Sequence, residues 1–203
     1  MMVQRGKLLV ISGPSGVGKS TAIHGLLSKH PEMYFSVSAT TRAMREGDQE
    51  GVTYLFKTRD QFEELISKDW FYEYAEYSGN YYGTPKTPVE ERLAQGIDVV
   101  LDIEAQGALQ IQAQCPDAVL IFLVAPSFAE LEKRLRGRGD TAEADIQKRL
   151  KQARWEYSQA HQYDYLVVSD TPERTVNEID SILTAEKLRA AGRLELLKME
   201  ESL

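Results

Sequence analysis

The chain has 203 residues, 42% of them hydrophobic and 27% charged, which is the size and composition of one substantial globular domain with room for insertions. Its formal net charge of -7 excludes a general attraction to nucleic acid or anionic membrane, so a polyphosphate partner requires local clusters of arginine. The lone Cys115 excludes an intrachain disulfide, residues Met1 to Lys7 are too short and polar for a signal peptide, and no apolar run nears the roughly 18 residues of a membrane span, so a soluble, cytoplasmic protein is expected.

Lys7 to Ser12 (KLLVIS) is a short apolar run, expected as a buried strand. Gly13 to Gly18 is a glycine-rich turn, and the helix after it carries Ala22, Ile23, Leu26 and Leu27 on one face and stops before Pro31. Tyr34 to Ser38 alternates and reads as a second strand. From Ala39 to Pro88 aromatic residues crowd in, among them Tyr54, Phe56, Phe62, Trp70, Phe71, Tyr81 and Tyr82. Short strands fit here, with one short helix bearing Phe62, Leu65 and Ile66 at helical spacing, so the stretch reads as an inserted subdomain. Pro88 to Gln95 is expected as a helix closed by Gly96, and Val99 to Ile103 and Ala118 to Val124 as buried strands. Ser127 with Glu130 three residues on forms a capping-box signal that opens another helix. A charged turn at Gly137 to Asp140 leads into a long helix over Ala142 to Gln159. Tyr165 to Val168 is the last strand, and Thr171-Pro172 opens a final helix with Val176, Ile179, Ile182 and Leu183 inward. Alternating strands and helices predict an α/β domain with a mainly parallel sheet and flanking helices.

The chemistry starts at Gly13-Pro14-Ser15-Gly16-Val17-Gly18-Lys19-Ser20, a complete G-x-x-x-x-G-K-S phosphate loop. Glycines let backbone N–H groups turn inward around phosphate oxygens, and the helix beginning near Gly18 adds its positive end. Lys19 reaches the β- and γ-phosphates, and the Ser20 hydroxyl suits Mg²⁺. With Thr21 these residues form the ATP-binding set. A chance match in a flexible loop is the competing reading, and the buried strand before and amphipathic helix after count against it. Val99-Val100-Leu101-Asp102 is an apolar strand ending in a carboxylate, which suits either Mg²⁺ bound through water or a simple strand-end cap.

Four further blocks carry a resemblance. They are Ser36-Val37-Ser38-Ala39-Thr40-Thr41-Arg42 followed by Arg45-Glu46-Gly47; Ser78-Gly79-Asn80-Tyr81-Tyr82-Gly83-Thr84; Leu101-Asp102-Ile103-Glu104 with Gln106-Gly107-Ala108; and Arg134-Leu135-Arg136-Gly137-Arg138-Gly139. In this order, over Leu8 to about Asp170, they resemble the guanylate kinases, the phosphate-loop enzymes that transfer the γ-phosphoryl group of MgATP to GMP; whether dGMP also serves as acceptor the sequence leaves open. The resemblance implies that Ser38, Arg42, Arg45, Tyr54 and Tyr82 hold the GMP phosphate, as guanidinium forks and hydroxyls suit a dianion. It implies that Glu73 and Glu104 read guanine, whose N1–H and N2–H₂ are adjacent donors, whereas adenine presents an acceptor at N1. Thr84 adds a contact in the same acceptor site. Lys19, Arg134, Arg138 and Arg149 match the catalytic centre and lid, where cations stabilise charge spread over the transferring phosphoryl group. No general base is required, because the acceptor phosphate, with a second pKa of ~6, is mostly ionised at neutral pH.

The implied architecture is a phosphate-loop NTPase core (1–37, 89–136 and 160–203), a small α+β GMP-binding insertion (38–88) and a helical lid (137–159). Its partners are the small molecules ATP and GMP, with Mg²⁺ at Ser20 and, through water, Asp102. Nucleic acid and membrane are not among them, and a monomer and a homo-oligomer stand equally open. Two departures from the family pattern are Glu104, where Asp is more frequent, and Ser169, where many members carry Asn near the adenine. Two other readings compete. One is a phosphate-loop kinase for another acceptor such as ribose 1,5-bisphosphate, against which Glu73 and Glu104 count. The other is a non-catalytic binding module of scaffold proteins, against which the intact Lys19 and Ser20 count.

Overall fold

A computed structural model of the chain describes residues 4–77, 79–137 and 142–194. In chain order the elements are β1 (Leu8–Ser12), α1 (Lys19–Lys29), β2 (Tyr34–Phe35), β3 (Ala39–Thr40), β4 (Leu55–Phe56), α2 (Arg59–Ser67), β5 (Phe71–Tyr77), β6 (Asn80–Pro85), α3 (Lys86–Ala94), β7 (Val99–Asp102), α4 (Ala105–Gln114), β8 (Val119–Val124), α5 (Phe128–Arg136), α6 (Glu143–Gln159), β9 (Tyr165–Val168) and α7 (Pro172–Lys187). Five strands form one parallel sheet in the order β2-β7-β1-β8-β9, and four form a second, mixed sheet in the order β4-β3-β6-β5.

The parallel sheet is covered on both faces, which is why its strands read as continuous apolar runs. Side chains alternate across it. Leu9, Ile11, Val100, Ile121 and Leu123 pack with Leu26, Leu131, Leu150, Ile179 and Leu183 of α1, α5, α6 and α7. Leu8, Val10, Val99, Leu101 and Leu120 pack on the other face with Val89, Leu93, Ala108 and Ile111 of α3 and α4. The second sheet and α2 enclose a small aromatic core in which Phe62 stacks on Phe71 at 4.4 Å and on Tyr81 at 5.2 Å between ring centroids. The aromatic crowding of the sequence is thus mostly the packing of this insertion.

Three local differences from expectation have physical causes. Helix α4 was not expected, and it supplies the crossover that a parallel β7-to-β8 connection requires. Helix α3 starts at Lys86, two residues before Pro88, because proline is tolerated in a first turn whose N–H groups are unpaired anyway. At α5 only half of the capping box forms. Ser127 Oγ accepts from the Glu130 N–H at 3.0 Å, while the Glu130 carboxylate turns away to accept from Arg134 Nε at 3.2 Å. The full reciprocal box stands instead at α2, between Thr58 and Gln61.

Candidate active site

Strands β1 and β7 lie side by side with Ile11 level with Asp102, so the glycine turn and the Asp102–Glu104 turn open at the same edge of the sheet. At Gly13 φ is 142°, and a Cβ there would lie 2.6 Å from the Leu123 carbonyl oxygen, so only glycine lets the chain leave β1 this close to β8. Val17 folds inward, fully buried, and its N–H donates to the Pro14 carbonyl at 3.1 Å. Gly18 caps α1 in the left-handed region with no side-chain bond. The first N–H groups of α1 are therefore left to the loop cavity, an arrangement suited to anions. Lys19 Nζ donates to the Gly13 carbonyl at 2.6 Å and stands 4.0 Å from Glu104 Oε1.

One cavity of about 440 Å³ runs from this loop to the inserted sheet. Pro14, Ser15, Gly16, Gly18, Lys19, Ser20 and Thr21 line one end, Ser38, Tyr54, Glu73 and Tyr82 the other, and Asp102 and Glu104 the floor between. Gly13 and Val17 shape the loop from beneath. Glu73 is 6% exposed, and the Thr84 hydroxyl behind it donates to its Oε1 at 2.7 Å. Burial pushes the Glu73 carboxyl up to about 7, against the opposing Thr84 hydrogen bonds. Burial also raises Asp102, with Lys19 opposing, and raises Tyr54, whose ring meets Tyr82 edge-on at 5.9 Å.

The arginines are placed less uniformly. The Arg42 guanidinium lies over the Tyr54 ring at 5.2 Å and pairs with Asp48 at 2.9 Å, beside the cavity. Arg45 is exposed at its rim loop, which its backbone N–H closes by donating to Asp48 at 2.7 Å. Arg149 reaches the loop from α6, its Nη1 donating to Ser15 Oγ at 3.4 Å. Arg134 sits on the far side of the loop, donating to the carbonyls of Val17 at 3.2 Å and Ser169 at 3.0 Å. There it borders a second hollow with Thr21, Asp170 and Pro172. Arg138 lies outside the described residues, as do Ser78 and Gly139. Arg136 joins α5 to α6 through Glu143, whose carboxyl that bond draws down to about 2.

The sequence reading missed several residues. Ala75, Ile103 and Gly107 also line the cavity. Behind Glu104 stands Glu156, on the same face of α6 as Arg149 and only 1% exposed, its carboxyl pushed upward by burial first and by Glu104 next. Gln152 donates to its Oε1 at 3.2 Å, and the buried Ser12 and Tyr163 hydroxyls stand close by. No pattern in the sequence marks Glu156, because its neighbours come from β1, the turn after β7 and the turn before β9.

Among known proteins, the family model described as guanylate kinase matches residues 5–186. A guanylate kinase of Synechococcus sp. (strain JA-3-3Ab) is 52% identical over 179 residues, 88% of this chain and 82% of that one. A guanylate kinase of Thermus thermophilus is 48% identical over 199 residues, 98% of this chain and 89% of that one. The crystal structure of guanylate kinase from Anaplasma phagocytophilum covers 98% of this chain and 96% of its own, with a TM-score of 0.79 and 36% identity. The SH3-kinase fragment of tight junction protein 3, at 10% identity and a TM-score of 0.50, shares the fold alone.

Proposed function

The chain belongs to the guanylate kinase family and is an ATP:GMP phosphotransferase, and from that premise we propose how its own residues divide the work. The observation that carries the assignment is a single cavity lined at one end by the phosphate loop and at the other by Glu73, Tyr54 and Tyr82. Two nucleotides in it meet at their phosphates, over Lys19 and Arg149. The loop N–H groups and Lys19 hold the ATP phosphates. Ser38, Tyr54 and Tyr82 receive the GMP phosphate, with Arg42 exchanging Asp48 for it and Arg45 closing from the rim. Glu73 and Glu104 accept from guanine N1–H and N2–H₂, and Thr84 holds Glu73 in place.

A GMP phosphate oxygen attacks the γ-phosphorus as the bond to the ADP oxygen breaks. Lys19, Arg134, Arg138 and Arg149 stabilise the charge on the oxygens in flight. The exposed Ser20 hydroxyl and the Asp102 carboxylate are hard oxygen donors that fit Mg²⁺, which when bound with ATP neutralises phosphate charge. The division of strands between two sheets supports a core of 1–37, 89–136 and 160–203, an acceptor insertion of 38–88 and a lid of 137–159. We place the enzyme in the cytoplasm, on the strength of the single cysteine, which fits a reducing compartment.

Initial rates of ADP release test these roles. Glu73→Ala and Arg42→Ala should each raise KM for GMP by roughly tenfold or more and leave KM for ATP within about twofold. Lys19→Ala should lower kcat by about a hundredfold or more. Equal changes in both KM values for Glu73→Ala would overturn its assignment to the acceptor.

A further inference from the structure

Gly107 lies in the first turn of α4, buried and turned toward β5. A Cβ built on it would lie 2.5 Å from Glu73 Oε2 and 3.0 Å from Glu73 Cδ, far inside van der Waals contact. The Glu73 carboxylate thus occupies the space a side chain at 107 would need.

Neither partner is free to withdraw. Glu73 is 6% exposed, its Oε1 is held by Thr84 at 2.7 Å, and its backbone stands opposite Thr84 in the β5–β6 ladder. Helix α4 is fastened along the same strand: Gln110 Nε2 donates to the Tyr74 carbonyl at 3.3 Å and Gln114 Nε2 to the Tyr72 carbonyl at 2.7 Å. Strand β5 is the edge of its sheet, so these two glutamines satisfy carbonyls that the ladder leaves open. On its other side α4 is locked by Ala108 and Ile111, both fully buried.

The backbone does not require glycine here. Gly107 is helical and has no positive φ, so a glycine costs about 1 kcal/mol of helix propensity relative to alanine with no conformational return. Its reason is the space it leaves. We infer that Gly107 is a specificity-determining position of the acceptor site: the missing side chain lets Glu73 present Oε2 to the cavity, and any larger residue displaces that carboxylate. The inference rests on the reading of Glu73 as a guanine acceptor.

The test is a double-mutant cycle on KM for GMP, with KM for ATP as the internal control, using Gly107→Ala, Glu73→Ala and the pair. Gly107→Ala should raise KM for GMP roughly tenfold in the parent, with little further change in the Glu73→Ala background, because two residues acting through one contact are not additive. If Glu73→Ala raises KM for GMP and Gly107→Ala does not, the inference falls and the guanine reading stands. An equal rise from Gly107→Ala in both backgrounds also overturns it, since position 107 then acts through something else. If Glu73→Ala has no effect, the guanine reading fails and takes the inference with it. Should Gly107→Ala not accumulate folded, Gly107→Ala with Glu73→Asp decides, because the shorter acid vacates the contested space. A folded double variant with the KM of Glu73→Asp alone supports the inference, and a double variant that also fails to fold overturns it.

Discussion

At the scale of single residues, the proposed role of Glu73 as a guanine acceptor predicts that GMP binding depends on pH. Its carboxyl stands at about 7 in the free protein because burial penalises the charge, so near neutrality both forms are populated. Only an ionised carboxylate can accept from both guanine donors, so on this proposal GMP should bind that form and release a proton. KM for GMP should fall about tenfold between pH 6 and 8, as the ionised fraction rises from near a tenth to near nine tenths. Glu73→Gln should flatten that profile, leaving only the titration of the GMP phosphate near pH ~6. If parent and Glu73→Gln share one profile, Glu73 is not the titrating group. The same shift has a stability sign. An acid whose folded pKa is raised binds more protons folded than unfolded between the model value of 4.5 and about 7, so stability falls as pH rises through that window. The cost at high pH is at most about 3 kcal/mol, and Glu73→Gln should melt higher than the parent at pH 8 but no higher at pH 5. The buried Glu156, raised by burial and by Glu104, adds to the same trend.

At the scale of elements, α1 and α7 approach each other at Gly25, where a Cβ would meet Val176 Cγ2 at 2.5 Å. Valine is stiff at χ1, so the overlap cannot be relieved by rotation alone. Gly25→Ala should therefore destabilise by about 1–3 kcal/mol even though alanine favours a helix by about 1. Thermal melts check this, with Val176→Ala expected to restore most of the loss; a Gly25→Ala protein more stable than its parent would show that the helices shift apart freely. Elements of this kind were unevenly legible in the sequence. β1, β7 and β8 stood out because strands buried on both faces are uninterrupted apolar runs. α4 did not, because AQGALQIQAQ has small apolar residues, an interior glycine and no side-chain cap. Its one available signal was topological: consecutive parallel strands need a crossover of about a dozen residues or more. The phosphate loop was legible as a motif, since its chemistry is local to eight residues. Glu73 was legible only through the family resemblance, and the Arg42–Asp48 pair, the Glu73–Gly107 contact and the Glu156 cluster not at all. Each joins segments whose adjacency is set by tertiary packing rather than by any period in the chain.

At the scale of the whole molecule, the two sheets share one cavity, α6 reaches its phosphate loop through Arg149, and the contacts between these parts differ in kind. The insertion is fastened to the core through α4, by Gln110 and Gln114 on the β5 edge and by the close fit of Glu73 on Gly107. Helix α6 is fastened along its length, with Ile146, Leu150, Ala153 and Tyr157 packed against the core. Nearer its start, exposed pairs such as Arg136–Glu143 join it to α5, and exposed pairs contribute little holding energy. Closure should accordingly be driven by the nucleotides, through the cations they gather at Ser15, Lys19 and Arg149, and should exclude water from the transferring phosphoryl group. Small-angle scattering should give a smaller radius of gyration with GMP and a non-hydrolysable ATP analogue together than with either alone. Starting from a compact chain of this length, about 17 Å by the general scaling, an unchanged radius with both bound would mean that the open and closed forms are one. ATP turnover without GMP should correspondingly stay far below the transfer rate, because half the charge that closes the site is missing. A rapid GMP-independent hydrolysis would show that water reaches the γ-phosphorus in the closed form, and exclusion would then have to be abandoned as the reason for the proposed lid.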